Sequence, residues 1–139
     1  MRRIFLDTNI IIDALLERKE WMDDVFRILS LAESGEIEAY CSSLSLATAY
    51  YFMERAKMPH EILIGKLDTF CQVCIPTTVD ASVVRQAIQS EFSDFEDALQ
   101  YFSAKTVNAD IILTRNIKDF AASEIPVMTA EHYLDTLSE

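Results

Sequence analysis

The segment Arg3-Ile4-Phe5-Leu6, followed directly by Asp7-Thr8-Asn9, decides the fold class. A short apolar run that stops at polar residues predicts a buried β-strand, and the helical pattern behind it, at residues 11–17, predicts a helix. The same alternation of short β-rich runs and longer helical patterns continues along the chain. Strands separated by helices imply right-handed crossovers and a parallel sheet. The predicted fold class is therefore α/β, with three α/β/α layers around a central parallel sheet of four to five strands.

Periodicity and capping residues assign the other elements. The predicted strands are 37–41, 73–75 (ended by Pro76), 111–113 and a short edge strand at 126–128. The predicted helices are 21–34 with Gly35 at its C′ position, 45–57, one opened by Pro59, one from a cap at Asp80 to about residue 90, one from a cap at Ser93 to about residue 106, and a last one from Thr129. In such sheets, sites form beyond the carboxyl ends of the strands.

Length and charge narrow the function classes. The 139 residues suit one domain, predicted at 1–139. The formal net charge is −11. Phosphate binding normally needs a basic surface, so this charge argues against a simple nucleic-acid-binding module. It fits a metal-binding acidic pocket, or a surface that a basic partner protein covers.

The apolar segments are too short to cross a membrane. Ile10-Ile11-Ile12, for example, is followed at once by Asp13, whereas a bilayer needs about 20 apolar residues. The apolar stretch behind Arg2-Arg3 is interrupted by Asp7, so it does not form a secretory signal. We therefore expect a cytoplasmic protein without membrane contact.

The three cysteines do not predict a metal or disulfide site. An odd number without a secretory signal argues against a disulfide framework. Cys71 and Cys74 have the spacing of zinc ligands, but residues 70–75 are predicted as a strand, on which they would point to opposite faces. No second pair completes a zinc site.

Asp7 is the first acid that the strand pattern singles out. It directly follows the first predicted strand, so its carboxylate lies at the carboxyl edge of the sheet. One interpretation is a helix cap, with Asp7, Thr8 or Asn9 accepting a backbone N–H. The other is a functional carboxylate. A dehalogenase-type phosphatase would need a second Asp at position 9, where this chain has Asn.

A second group of acids begins the helix after residue 93. Ser93 and Glu96 form a predicted capping box, while Phe95 is expected in the buried stripe. Asp94 and Asp97 share a helix edge with Tyr101, and neighbouring carboxylates repel unless a cation lies between them. A hydrated divalent cation is one explanation, and a solvated helix face is the alternative.

Polar residues also follow the strand at 111–113. Thr114-Arg115-Asn116 and Asp119 come directly after it. Taken alone they are loop and capping residues. Together with Asp7 they bring polar groups to the ends of two strands.

This ordered set of motifs resembles the PIN domain family, which includes the VapC ribonuclease toxins of bacterial toxin–antitoxin pairs. The resemblance covers the whole chain. It implies that Asp7 and Asp97 are the family's first and third acids, and that the fourth falls at Asn116 or Asp119. The second acid, usually a Glu, is replaced by Thr48. Asp94 is an alternative source of the missing charge.

The resemblance implies a function. It predicts an endoribonuclease that uses Mg²⁺ or Mn²⁺, with activity weakened by Thr48. The implied catalytic residues are Asp7, Asp97 and Asp119, and the implied metal ligands are these three with Asn116 and Asp94. The residues expected to bind substrate are Thr8, Asn9, Thr114, Arg115 and Lys118. The expected partners are RNA, a basic antitoxin-like protein and a second copy in a homodimer. The alternative is a PIN-like module that binds RNA or protein without catalysis.

Overall fold

The structure, a computed structural model, describes residues 1–138. Glu139, the last residue of the predicted domain, lies outside the described residues. The strands are β1 (Arg2–Leu6), β2 (Ile37–Ser42), β3 (Cys74–Thr77), β4 (Ile111–Leu113) and β5 (Val127–Met128). The α-helices are α1 (Thr8–Leu15), α2 (Met22–Glu33), α3 (Ser43–Arg55), α4 (His60–Val73), α5 (Ala81–Ile88), α6 (Phe95–Thr106) and α7 (Ala130–Thr136). A short 3-10 helix, Ile117–Phe120, connects β4 to β5.

All strand pairs are parallel, in the order β3-β2-β1-β4-β5. Leu6 of the central strand β1 pairs with Cys41 on one side and with Leu113 on the other. The residues that directly follow, Asp7 and Thr114, therefore leave the sheet at the same edge. The predicted parallel α/β sheet is confirmed.

The side chains of β1 alternate between two cores, as expected for a strand covered on both faces. Ile4 and Leu6 pack with residues of α1, α2, α3, α4 and α7. Phe5 packs on the other face with Tyr101 of α6 and with Phe120. Helix α6 covers this face of the sheet, and α5 packs against α6. The sheet therefore lies between two helical layers. This confirms the predicted three-layer arrangement. Among residues 1–138, no helix is both long enough and apolar enough to span a membrane.

The extended structure assumed for residues 70–75 at Cys71 and Cys74 is wrong in its first half, and the strand predicted at 73–75 begins one residue later. Helix α4 continues to Val73, and β3 begins at Cys74. The short apolar run is compatible with either structure, and burial of Phe70 in the core keeps it helical. Pro76, predicted to end the strand, lies within it, because β3 is an edge strand, where Pro is tolerated.

The predicted capping box at α6 is also wrong. The cap is Asp94, whose Oδ1 accepts the backbone N–H of Asp97 at 3.0 Å, instead of Ser93. The helix therefore begins one residue later than predicted, and Phe95 is half exposed instead of buried. Tyr101 is buried in the core and does not share a surface stripe with the acids.

Three other helix ends were predicted correctly. Asp80 and Thr129 cap α5 and α7, and Gly35 adopts a positive φ of 81° just beyond α2. Helix α1 starts at Thr8, three residues earlier than predicted, with Asp7 as its cap. Helix α3 begins and ends two residues before its predicted bounds.

Candidate active site

Asp7 lies at the centre of the polar groups that gather at the carboxyl edge of the sheet. Its backbone N–H donates to Leu113 O at 2.9 Å, which continues the pairing of β1 with β4. Its side chain is only 5% exposed. Oδ1 accepts hydrogen bonds from the Thr8 N–H at 2.8 Å and Gln100 Nε2 at 3.0 Å, and Oδ2 accepts one from Thr114 Oγ1 at 2.8 Å. Asp7 thus caps α1 and is also held by the side chain of Gln100 in α6 and by that of Thr114, directly after β4.

Gln100 of α6 is a site residue that the sequence did not reveal. Its side chain is buried, and Nε2 lies 3.1 Å from Thr8 Oγ1 and 3.0 Å from Ser45 Oγ. The Thr8 and Ser45 hydroxyls lie 2.7 Å apart. These neutral groups connect α1, α3 and α6 directly behind Asp7. The spacing of three residues from Asp97 was the available signal, since such residues share a helix face.

Burial shapes the electrostatics of Asp7. Loss of water raises the pKa of its carboxyl above the usual value. Hydrogen bonds from Thr114, Gln100 and Thr8 stabilise the anion and oppose this shift, whereas the negative charge of Asp119 adds to it. Asp119 itself is exposed, in the 3-10 helix that follows β4.

The charges of several acids act on Asp97. Its pKa is raised to about 7, first by partial burial and then by the charges of Asp94, Asp7, Asp119 and Glu96. Burial and the charges of Asp7 and Asp94 raise the pKa of Glu96 as well. Negative charge is thus concentrated in a group of carboxylates, here called the acid region, that favours a cation. It consists of Asp7, Asp94, Glu96, Asp97 and Asp119.

The segment after β4 is tied to Asp7 through hydroxyl and amide groups. Asn9 Nδ2 donates to Thr114 Oγ1 at 3.3 Å, and Asn9 Oδ1 accepts the Arg115 N–H at 3.4 Å. The Asn116 N–H donates to Thr114 Oγ1 at 3.0 Å. Asn116 and Lys118 lie on the exposed side of this segment. The predicted substrate-binding residues therefore divide into buried and exposed groups.

The guanidinium of Arg115 is bound to Asp13, which is not part of the acid region. Its guanidinium donates to both carboxylate oxygens of Asp13, at 2.8 and 3.2 Å, and lies 3.9 Å from the ring centroid of Trp21. This cation is already paired inside the protein.

Thr48 lies one turn beyond Ser45 on α3. Its hydroxyl donates to the carbonyl oxygen of Leu44 at 3.4 Å, within its own helix. The Thr48 hydroxyl adds no negative charge to the acid region, and the hydroxyl that faces Gln100 from α3 belongs to Ser45.

The donor set fits a hydrated divalent cation better than a closed cage. No three His, Cys, Asp or Glu side chains within residues 1–138 converge closely enough to form a complete metal site. Mg²⁺, however, commonly binds through one or two carboxylates and keeps several waters. Asp7 and Asp97, with Asp119 nearby, supply hard oxygen donors of that kind.

Comparison with known proteins identifies the family. A sequence model of the PIN domain matches residues 3–118, which include Asp7, Asp97 and the Thr114–Lys118 segment. The chain belongs to the PIN domain family. The resemblance in the sequence motifs is thereby confirmed.

Relatives of this PIN domain include a ribonuclease. The chain is 25% identical over 138 residues to Ribonuclease VapC1 of Aquifex aeolicus, with 96% of this chain and 94% of the relative covered. This PIN domain is therefore similar to a VapC ribonuclease.

Solved structures share the fold at a TM-score of 0.65. VapBC2 from Rickettsia felis, bound to a DNA fragment from its promoter, is 23% identical, with 91% of this chain and 96% of that chain covered. VapC20 of Mycobacterium tuberculosis, a toxin that cleaves the sarcin-ricin loop, is 15% identical, with 86% and 94% covered. FitAB bound to a DNA fragment is 19% identical, with 91% and 94% covered. At these identities the likeness concerns the fold.

Proposed function

We propose that this PIN domain protein is an endoribonuclease of the VapC kind that depends on Mg²⁺ or Mn²⁺ and whose activity is weakened by Thr48. The proposal rests on one feature of the site: partial burial, and then the charges of Asp94, Asp7, Asp119 and Glu96, raise the pKa of Asp97 to about 7. A concentration of carboxylates that repel each other at neutral pH is stabilised when a cation binds. The similarity of this chain to Ribonuclease VapC1 supports RNA as the substrate class.

The side chains of the site have distinct proposed roles. When bound, a divalent cation acidifies a water molecule and offsets the charge that develops on the phosphate. Asp7 is the main direct ligand, because Gln100 and Thr114 fix its carboxylate in one orientation. Asp97 and Asp119 hold the cation or its waters, with Asn116 as the alternative to Asp119. Asp94 adds negative charge at the start of α6.

The predicted substrate-binding residues contribute in two ways. Thr8 and Thr114 are buried and bonded to Asp7, so we assign them to orienting that carboxylate. Asn9 is half-buried, and Lys118 is exposed on the 3-10 helix that carries Asp119. We therefore assign Asn9 and Lys118 to contacts with the RNA backbone.

We also propose a basic antitoxin-like partner in the cytoplasm. A groove of about 830 Å³ runs between α1, α2 and α4, with Leu15, Phe26, Leu29 and Phe70 among its lining residues. The net charge of −11 attracts a basic chain, and similar folds occur in VapBC2 and FitAB assemblies.

We also expect a homodimer. Light scattering at micromolar concentration tests it, and a stable monomer would contradict it.

The decisive experiment is cleavage of single-stranded RNA by the purified protein with Mn²⁺, compared between wild type and Asp7→Asn. Cleavage that disappears in Asp7→Asn supports the proposal. Asp68→Asn, the same change on the exposed surface of α4, is the matched control and should cleave as wild type does. Equal residual activity in wild type and Asp7→Asn would point to a contaminating nuclease and overturn the assignment.

The second proposal is an RNA- or protein-binding module without catalysis. It is favoured by the internal hydrogen bonds that occupy both oxygens of Asp7 and by the neutral residue at position 48. RNA binding of equal strength by wild type and Asp7→Asn, with no cleavage by either, would favour this module.

A further inference from the structure

A buried carboxylate lies outside the acid region that surrounds Asp7. Asp13 of α1 is 0% exposed. Arg115 Nε donates to its Oδ2 at 2.8 Å and Arg115 Nη2 to its Oδ1 at 3.2 Å, while Arg18 Nη1 lies 3.4 Å from Oδ1. A buried carboxylate is stable only when such donors compensate for the lost water. Arg115 is its main partner, since it binds both oxygens.

The guanidinium of Arg115 is fixed from a second side by Trp21. Its central carbon lies 3.9 Å from the centroid of the Trp21 ring, at the N-terminus of α2. An arginine can donate in the plane of its guanidinium and stack through its face at the same time. The backbone N–H of Arg115 also donates to Asn9 Oδ1 at 3.4 Å. Arg115 is thus held by groups from α1 and α2.

This attachment lies within the segment that completes the acid site. The residue before Arg115 is Thr114, whose hydroxyl donates to Asp7 Oδ2. Asp119, whose charge raises the pKa of Asp7 and Asp97, follows in the 3-10 helix. Any shift of Arg115 would therefore move groups on both of its sides relative to Asp7.

We propose that Asp13, Arg115 and Trp21 form a clamp that positions residues 114–119 around Asp7, so that Arg115 is a positioning residue and does not bind the RNA phosphate. The part that concerns catalysis rests on the proposed ribonuclease function. The opposite account is that Arg115 leaves Asp13 to bind a phosphate. Lysine at position 115 separates the two accounts, because it keeps the charge but cannot bind two oxygens and stack on the ring at once.

The first test needs neither metal nor RNA. Hydrogen exchange of the backbone amides in residues 114–121 is compared between wild type and Arg115→Lys. The clamp predicts that protection falls by about tenfold or more in this segment, because hydrogen bonds between charged groups are lost. Trp21 is the single tryptophan, so its emission should move to longer wavelength as the ring becomes hydrated. Unchanged exchange and emission would overturn the clamp.

A matched control and a second variant make this test specific. Arg18→Lys changes the more distant cation at Asp13 and should leave exchange of residues 114–121 as in wild type. Trp21→Leu removes the stacking surface and should increase exchange in the same segment as Arg115→Lys does. Increased exchange throughout the chain in both variants would mean general destabilisation and would contradict a local clamp.

The second test uses RNA cleavage with Mn²⁺. If Arg115 is a positioning residue, Arg115→Lys lowers kcat by about tenfold or more at nearly constant KM, because misplaced catalytic groups act on the chemical step. If Arg115 binds phosphate, Arg115→Lys stays near wild type, and Arg115→Gln raises KM and lowers the salt slope of RNA binding by about one. The latter result would overturn the proposal. A wild type that does not cleave RNA refutes the proposed function instead, and the exchange test still decides the clamp.

Discussion

The side-chain amide of Gln100 donates a hydrogen bond to Asp7 Oδ1 over 3.0 Å, although the two residues are 93 positions apart in sequence. The same nitrogen lies 3.0 Å from Ser45 Oγ. Helix α6 therefore supports the central carboxylate with a neutral group. Removal of this hydrogen bond should lower the stability of the protein by a measurable amount.

We expect Gln100→Leu to destabilise the protein and to weaken Mn²⁺ binding. Leucine fills a similar volume but removes the amide that donates to Asp7 Oδ1 and Ser45 Oγ, so that Oδ1 keeps only the Thr8 N–H. The loss of such buried hydrogen bonds costs roughly 1–3 kcal/mol. The pKa of Asp7 should rise further, because its hydrogen bond from Gln100 lowers it in the wild type. Urea unfolding and calorimetric titration of Mn²⁺ measure the two effects. Gln86→Leu, on the exposed face of α5, is the control, and an equal effect there would refute a specific role for Gln100.

The sequence could predict Asp7 but not Gln100, for a physical reason. Asp7 follows a buried strand of a parallel sheet, so its position at the carboxyl edge is determined locally. A glutamine in a helix is compatible with solvent, and only contacts with residues far along the chain, such as Asp7 and Ser45, reveal that it is buried. Asp13 and Arg115 were missed as a pair for the same reason, since they are 102 positions apart.

Two elements of the fold were predicted incorrectly, and each error has a local cause. Residues 70–73 are apolar enough for either a strand or a helix, and burial of Phe70 against the core decides for α4. Ser93 and Asp94 are both good caps, and neighbouring candidates of equal propensity cannot be separated by propensity alone. The alternation of β1 between two cores was predictable, because it follows from parallel pairing.

Asp97 should make both stability and cation binding depend on pH near neutrality. Its pKa is about 7 in the folded protein against 3.8 for an ordinary Asp. The folded state therefore holds this proton more tightly. The resulting stabilisation is complete below pH 3.8 and is lost as the pH rises to about 7. Without metal, Asp97→Asn should gain stability relative to wild type between pH 5 and pH 8.

The affinity for a cation should increase as the pH rises, because a carboxylate must lose its proton to serve as a ligand. We expect the Mn²⁺ affinity of wild type to increase from pH 6 to pH 8, and that of Asp97→Asn to be lower and flatter. Urea unfolding in the presence of a chelator and calorimetry with Mn²⁺ test the two halves. Asp68→Asn is the matched control. A stability difference between wild type and Asp97→Asn that is constant with pH would contradict the shifted pKa.

Asp119, and not Asn116, should act as the fourth acid. The charge of Asp119 raises the pKa of both Asp7 and Asp97. Asp119→Asn should therefore lower the pKa of Asp97, measured by NMR titration of its carboxyl group, and reduce Mn²⁺ affinity because a ligand charge is lost. Asn116→Ala should change neither quantity by a comparable amount. The reverse pattern would assign the fourth position to Asn116.

Thr48→Glu should raise Mn²⁺ affinity and RNA cleavage together. The wild-type hydroxyl donates within its own helix to Leu44 O at 3.4 Å and adds no negative charge to the acid region. A glutamate at this position, one turn beyond Ser45, would add a carboxylate on the helix that follows β2. Ligand charge is a main determinant of affinity in oxygen-ligand sites, and cleavage needs the bound cation. We therefore expect low activity in wild type and higher activity in the variant, measured on one RNA at fixed Mn²⁺.

The rival account is that Asp94 already supplies the missing charge. Its carboxylate caps α6 by accepting the Asp97 N–H at 3.0 Å, and its charge is the largest electrostatic contribution to the raised pKa of Asp97. On that account wild type is fully active, Asp94→Asn abolishes cleavage, and Thr48→Glu adds little. Asparagine retains capping ability, so Asp94→Asn tests the charge more than the helix. If wild type cleaves at least as fast as Thr48→Glu, the proposal that Thr48 weakens the site is wrong and Asp94 takes over the role of the second acid.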